Sequence, residues 1–249
     1  MEVHPHSHTE RKKFKHYLWE FLMLFLAVTL GFLTENFREE QKNKREIRSD
    51  MQSIMSDLRS DVRYFDSVIV RNEYSCITID SLVKLLGGDR SQTADIYYLA
   101  RIVTANFGYF YSNAKTFEQM KSSGALKLIS PRSVLDSIAE YYSSMQWLTN
   151  QAELVRMKVD DIHQGNSQLF STFVFQSMMH IDYGNFKRGI IVVKRPEGNP
   201  ELLTSDPSKI NDVAMHYHYL YTTVKFYDKT AELLKERASR LVALIEKEY

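Results

Sequence analysis

Apolar residues recur at steps of three and four along most of this chain, and that spacing predicts helices. From Ile47 the positions Met51, Ile54, Leu58, Val62, Phe65, Ile69, Cys76, Ile79, Val83 and Leu86 form one sustained stripe of heptad-like spacing, with Asn72 in the gap between Ile69 and Cys76. Gly87 and Gly88 end it. Upstream, residues 35–46 (ENFREEQKNKRE) are charged and hold no helix breaker, and residues 21–33 (FLMLFLAVTLGFL) carry no charge. The pattern predicts one nearly continuous helix from about 14 to 86.

Further helices follow. Residues 93–105 read as a second helix, and residues 113–122 as a short third one with Ser112 as N-cap and Gly124 at the C-terminal cap. Ser130-Pro131 is a start signal, Ser as N-cap and Pro at the first helical position. The fourth helix is expected from 131 to about 162, its face carried by Val134, Ile138, Tyr141 or Tyr142, Met145, Leu148, Ala152 and Val155. His163-Gln164-Gly165-Asn166 is expected to break or kink it before 167–179 resume as helix. Residues 182–206 form a loop rich in Gly and Pro, and 189–194 within it read as a short strand or extended segment with no evident sheet partner. The last helix begins near Pro207 with Asp206 as N-cap. Its stripe is Ile210, Val213, Tyr217, Leu220, Val224, Tyr227, Ala231, Leu234, Ala238, Leu241 and Ile245.

The uncharged run poses a membrane question. Residues 17–34 make 18 residues, about 27 Å of helix at roughly 1.5 Å per residue, close to a hydrocarbon core of about 30 Å. Tyr17 and Trp19 lie at one end, where an aromatic belt belongs. Arg11, Lys12, Lys13 and Lys15 form a basic flank, and Phe32-Leu33-Thr34-Glu35 offers no small-residue cleavage site, so an uncleaved signal anchor is favoured over a cleaved signal peptide or a buried core helix. Arg38, Lys42, Lys44, Arg45 and Arg48 nearly balance the basic flank in the positive-inside count. The lean is towards a cytoplasmic N-terminus and a main domain beyond the inner membrane.

Within that span Glu20, Ala27, Gly31 and Thr34 are spaced 7, 4 and 3, and so share one helix face. Ala27 and Gly31 form a small-xxx-small pair that lets another helix approach closely. The face reads as one for self-association or for docking a partner helix. The competing reading is an interfacial glutamate, three residues in from Tyr17, with incidental small neighbours.

Composition narrows the class. With 9 Gly and 5 Pro in 249 residues, a protein of many tight turns is disfavoured. A single Cys excludes an intramolecular disulfide framework and any multi-cysteine zinc site. The formal charge is +1, and beyond residue 34 the chain carries 28 basic and 28 acidic residues with no block of like sign, so nucleic acid is not an expected partner. The predicted architecture is all-α. A flexible tail at 1–13 leads into a transmembrane anchor at 14–34. Residues 35–249 form a helical ectodomain packed as an elongated, coiled-coil-like antiparallel bundle, with its loop at 182–206.

Two stretches carry a resemblance. One is Lys15-His16-Tyr17-Leu18-Trp19-Glu20-Phe21-Leu22-Met23-Leu24-Phe25-Leu26-Ala27-Val28 with Gly31-Phe32 and Glu35-Asn36. The other is Thr116-Phe117-Glu118-Gln119-Met120-Lys121-Ser122-Ser123-Gly124 with Leu126, Leu128-Ile129 and Tyr141-Tyr142. Together they resemble an uncharacterised family of Bacteroidota proteins with a His- and Lys-rich tail, one membrane helix and a helical region. The resemblance covers about half the chain in scattered blocks. It implies a membrane-anchored bacterial protein and brings no activity. Thr34 departs from the alanine usual in that family.

Candidate chemistry is sparse. His4, His6 and His8 alternate in the tail, which as a flexible chain would bind metal only weakly and otherwise reads as a disordered leader; His216 and His218 flank Tyr217, but on a helix they point to different faces and cannot jointly hold an ion. Ser112-x-x-Lys115 and Ser81-x-x-Lys84 match the short serine–lysine pattern of acyl-enzymes without its companion triplets. Phosphate-loop, dinucleotide, nucleophile-elbow and zinc-protease motifs do not occur. The acid pairs Asp57/Asp61 and Asp160/Asp161 read as solvated helix faces, and Cys76 as a small buried hydrophobe. Tyr97, Tyr98, Tyr109, Tyr111, Tyr141, Tyr142, Tyr217, Tyr219 and Tyr221 follow the helical stripes, which favours core packing over a ligand pocket. The expected function is therefore non-enzymatic, with no cofactor and no metal: a scaffold or accessory subunit that acts by association in the bilayer, as a homo-oligomer or with a membrane partner protein. A ligand-sensing bundle that signals through a partner is the alternative.

Overall fold

The computed structural model describes residues 14–104, 107–182 and 190–249. The tail 1–13 with its histidines and first three basic residues, Ala105 at the expected end of the second helix, and Gly189 with the preceding six loop residues lie outside the described residues. The fold is all-α apart from one small hairpin among the described residues. The chain divides into two compact units, residues up to Asp50 and Met51–Tyr249.

Helix α1 runs unbroken from Phe14 to Gly87 and contributes to both units. No Gly or Pro occurs between Phe32 and Leu86, so nothing interrupts its hydrogen-bond ladder. In the first unit its charged stretch is laced by the pairs Glu35–Arg38 at 2.6 Å and Glu40–Lys44 at 2.5 Å, spacings of three and four that suit a solvated helix.

The second unit is built on three long helices: α1 from Met51 onward, α4 (Arg132–Leu169) and α6 (Pro207–Glu248). The short elements between them are α2 (Thr93–Val103), α3 (Lys115–Ser123), a 3-10 turn at Ala125–Leu128, α5 (Thr172–Ser177), β1 (Met179–Asp182) and β2 (Ile190–Val193). Helix α6 runs antiparallel to α1, as the ion pairs Arg59–Glu246 and Asp66–Lys235 and the Asn72–Asp228 hydrogen bond at 2.7 Å require. It also runs antiparallel to α4, through Glu140–Arg237 at 3.1 Å and Tyr217–Asn166 at 2.9 Å. Helices α1 and α4 are consequently parallel, and Tyr141 donates to Asp61 between them at 2.8 Å.

Every position of the α6 stripe is buried. On α1 the buried set differs from the expected one. Asp61, Val68 and Leu82 are buried, whereas Val62, Ile69 and Val83 are half-buried. A three–four alternation of buried positions runs from Ile47 to Leu86 through Asp61, Asn72 and Ser75, with Cys76 and Thr78 buried beside it. Following only apolar residues let the expected stripe drift by one position.

Local start and stop signals held in part. Asp206 caps α6, its Oδ1 accepting from the Ser208 N–H at 2.9 Å, and Gly124 ends α3 in the left-handed region at φ 75°. Ser112 does not cap α3, which begins at Lys115 with Ala114 in the cap position, because its hydroxyl is taken by Asp61 at 3.0 Å. Nor does Ser130 cap α4: Pro131 occupies the cap position, after a cis Ser130–Pro131 bond.

Two expectations about 163–194 are corrected. Helix α4 is not broken at 163–166 but continues to Leu169. Gly165 serves close approach there, since a Cβ would lie 3.2 Å from His216 Cδ2 and 3.6 Å from Val213 Cγ2, and Asn166 bonds Tyr217 in the same seam. The segment Ile190–Val193 does have a partner: it pairs antiparallel with Met179–Asp182, Met179 opposite Val193 and His180 opposite Val192, and Lys194 N–H extends the ladder to Met178 O at 2.9 Å.

Candidate functional site

In the first unit, α1 holds an 18-residue window with a mean hydropathy of 1.8, none of it buried. It is a helix long and apolar enough to cross a membrane. Glu20, Ala27, Gly31 and Thr34 are all exposed along it and, at 100° per residue, fall within roughly 60° of one another. A Cβ on Gly31 would meet nothing within 4 Å, so the small-residue face is open. The Thr34 hydroxyl donates to its own helix, at Leu30 O, 2.8 Å away.

In the second unit the polar chemistry lies in the core, and the sequence reading missed it. Asp61 is only 2% exposed and accepts from Tyr141 Oη at 2.8 Å, Ser112 Oγ at 3.0 Å and Asn113 N–H at 3.1 Å. One turn earlier, Asp57 accepts from Asn113 Nδ2 and Thr116 Oγ1, each at 2.6 Å. Burial raises the Asp61 pKa, while these three donors pull it back down. The pair is therefore no solvated face. It ties the 107–116 connector and α3 to α1 and α4, and its oxygens are occupied by structural donors.

A second polar knot sits about three turns along α1 from Asp61. Asn72 donates to Asp228 Oδ1 at 2.7 Å and to Gly108 O at 3.3 Å, and accepts from Gly108 N–H at 2.9 Å. Tyr227 Oη accepts from Phe110 N–H at 2.8 Å, and Phe110 stacks on Phe65 with centroids 3.9 Å apart. The connector is thus held as an inserted strap whose backbone groups are paired by side chains instead of by a ladder. The signal for these residues was Asn72 itself, seven residues after Phe65 and seven before Ile79 in a buried row.

An open-sided cleft of about 550 Å³ lies where α3 meets α4, lined by the rings of Tyr111, Phe117 and Tyr142 and by Ser143 and Gln146. Phe117 stacks on Tyr142 at 4.2 Å. The Tyr142 hydroxyl is shut from solvent and has no hydrogen-bond partner among the described residues. Burial raises its pKa first, and the Asp61 and Asp57 charges raise it further, so it is a neutral phenol with an unused donor.

The remaining candidates separate. Ser81 Oγ donates to Ile77 O in its own helix and Lys84 pairs with Asp80, while Ser112 is held by Asp61, so neither serine faces a lysine base. His216 is half-buried, 3.8 Å from Asp212, and His218 is exposed beside Tyr219, so the two point apart. Cys76 is buried and burial pushes its thiol up to about 11, the behaviour of a small hydrophobe. Tyr97, Tyr141 and Tyr217 are core residues with their hydroxyls bonded, and Tyr111 and Tyr219 are exposed.

One family model, described as a family of unknown function, matches residues 20–194. No curated protein and no solved structure matches the chain.

Proposed function

The chain belongs to the family of unknown function DUF6090, and from that premise we propose that it is a bacterial inner-membrane protein that works by association, as a non-catalytic scaffold or accessory subunit. Residues 14–34 anchor it in a single pass and the helical ectodomain lies on the periplasmic side. The observation that carries this reading is the apolar window of α1, at 1.8 mean hydropathy and 0% buried. A chain that leaves such a surface uncovered needs lipid or another helix around it. The open Ala27/Gly31 face supports helix–helix contact, and the coiled-coil-like heptads of α1, α4 and α6 support a mechanical or docking role over a chemical one. The resemblance of residues 15–36 to Bacteroidota proteins supports the bacterial setting.

Alkaline carbonate extraction is expected to leave the full chain in the membrane pellet, and native mass spectrometry from detergent to give an oligomer or a co-purifying membrane protein. Gly31→Ile, which fills the open face, is expected to weaken association about tenfold, the scale of ~1–2 kcal/mol for such helix contacts. Release by carbonate, or a solitary monomer at all protein concentrations, overturns the reading.

The aromatic lining of the α3–α4 cleft, with Phe117 stacked on Tyr142, favours a second reading, a ligand-sensing bundle whose small-molecule site is that cleft. Such a site takes a flat molecule that packs against the Phe117 and Tyr142 rings, and its capture would raise the thermal midpoint of the wild-type chain but not of Phe117→Ala. Equal shifts in both proteins, or none across a fragment library, count against it.

A further inference from the structure

Among the described residues, the second unit leaves a large apolar surface on α4 and α6 uncovered. On α4, Trp147, Leu154 and Met157 are 44%, 44% and 58% exposed; on α6, Tyr219 and Phe226 are 52% and 56% exposed. Met215 and Leu233 extend the α6 row at either end, at 42% and 55%. The α6 residues are spaced 4, 7 and 7, which keeps them on one stripe well away from the stripe that faces the core. Because α4 and α6 are antiparallel neighbours, the two rows lie side by side, and the Trp147 and Phe226 rings touch across the seam with centroids 6.0 Å apart.

About half of each of these large side chains is open, which at about 200 Å² per residue is on the order of 700 Å². Monomeric proteins rarely leave so much contiguous apolar area in water, and one partner of a standard interface contributes about 800 Å². Most charges beside the rows are paired within the chain, Glu153–Arg156, Lys158–Asp161 at 2.7 Å and Lys229–Glu232 at 3.1 Å, and Lys225 lies over the Tyr221 ring. A rim of both signs, mostly neutralised within the chain, offers no field to a strongly charged partner and lacks the basic border that draws a helix face onto anionic lipid. It does suit a copy of itself, since like meets like in an isologous contact without uncompensated charge.

We propose that the α4–α6 face, centred on Leu154, Tyr219 and Phe226, is the seam at which two copies of this chain pair, stacking two helix pairs into a four-helix layer. This deepens the association reading and rests on it. Confinement to one membrane raises the effective concentration of the copies, so an interface of this area is enough to hold them.

The test uses the full chain. Native mass spectrometry in lipid nanodiscs is expected to show a dimer for the wild type and at least a tenfold smaller dimer fraction for Leu154→Glu/Phe226→Glu, with helix content unchanged by circular dichroism. As a measurement independent of whether that variant folds, Tyr219→benzoylphenylalanine is irradiated in membranes and is expected to give a chain-to-chain crosslink. A dimer that survives the double variant, or a crosslink to lipid, to another protein or to residues 183–189 of the same chain, overturns this inference and leaves the association reading standing. A wild-type monomer with a co-purifying partner has the same effect. A wild-type monomer alone overturns both.

Discussion

Asp61→Ala is expected to cost about 3–4 kcal/mol, more than removal of any single one of its donors. The replacement strips three donors of their acceptor at once: Tyr141 Oη, Ser112 Oγ and Asn113 N–H. Each buried group left unpaired costs about 1–3 kcal/mol, and removing the charged member of a buried network sits at the upper end of such effects. Single-partner variants should rank below it. Tyr141→Phe leaves the carboxylate two donors, for about 1–2 kcal/mol, and Ser112→Ala still less. In thermal unfolding of the full chain in mild detergent the Asp61→Ala midpoint is expected to fall by on the order of 10 °C, given about 2–4 °C per kcal/mol for a chain of this size. The connector should loosen as well, so amide exchange at residues 107–116 is expected to accelerate more than exchange in α6. If Tyr141→Phe costs as much as Asp61→Ala, the cluster does not act as a three-donor site and this account of the strap is wrong.

Asp61 also marks the limit of what the sequence made legible. The long elements were readable because nothing competes with them: α1 has no breaker from Phe32 to Leu86, and α6 has a capping Asp206 and eleven apolar positions in strict alternation. Reading hydrophobicity alone failed where the bundle places polar groups in core positions. Asp61, Asn72 and Asp228 sit in or beside buried rows, and their partners come from 36 to 156 residues away in the chain, a pairing no local pattern encodes. The same non-local cause explains Gly165 and Asn166, whose composition signals a break but whose helix is kept whole by the α6 surface opposite. The partner of Ile190–Val193 was hidden because Met179–Asp182 has only four residues and follows a helix without a turn signal. Ala27 and Gly31 share a helix face by spacing alone, and a Cβ on Gly31 meets nothing within 4 Å among the described residues.

Asp228→Asn is expected to stabilise the protein at pH 8 and to do little at pH 4.5. The carboxyl lies in the core beside Asn72, and burial pushes its pKa up to about 7 against the pull of the Asn72 amide and Lys225, with Glu232 and Glu73 adding a further upward push. In the unfolded chain the group titrates near 3.8. The folded state therefore keeps a proton that the unfolded state has given up between roughly pH 4 and pH 7. Its favourable contribution is whole below pH 4, shrinks as the pH rises through 7, and is gone above that. At about 1.36 kcal/mol per pKa unit the full swing is on the order of 4 kcal/mol, a ceiling because the charged side chain can turn towards Lys225 and water. Asparagine keeps the shape and still offers Asn72 an acceptor oxygen, but carries no charge at any pH. The difference in thermal midpoint between variant and wild type should accordingly grow from small at pH 4.5 to several degrees at pH 8, with its steepest change between the two titrations, at roughly pH 5–6, and a plateau above about 7. Other buried acids such as Asp61 titrate equally in both proteins and drop out of that difference. A flat difference curve would mean that Asp228 titrates as an ordinary surface acid. A variant less stable at pH 8 would mean that the charged carboxylate, held by Asn72 and Lys225, is itself what joins α1 to α6.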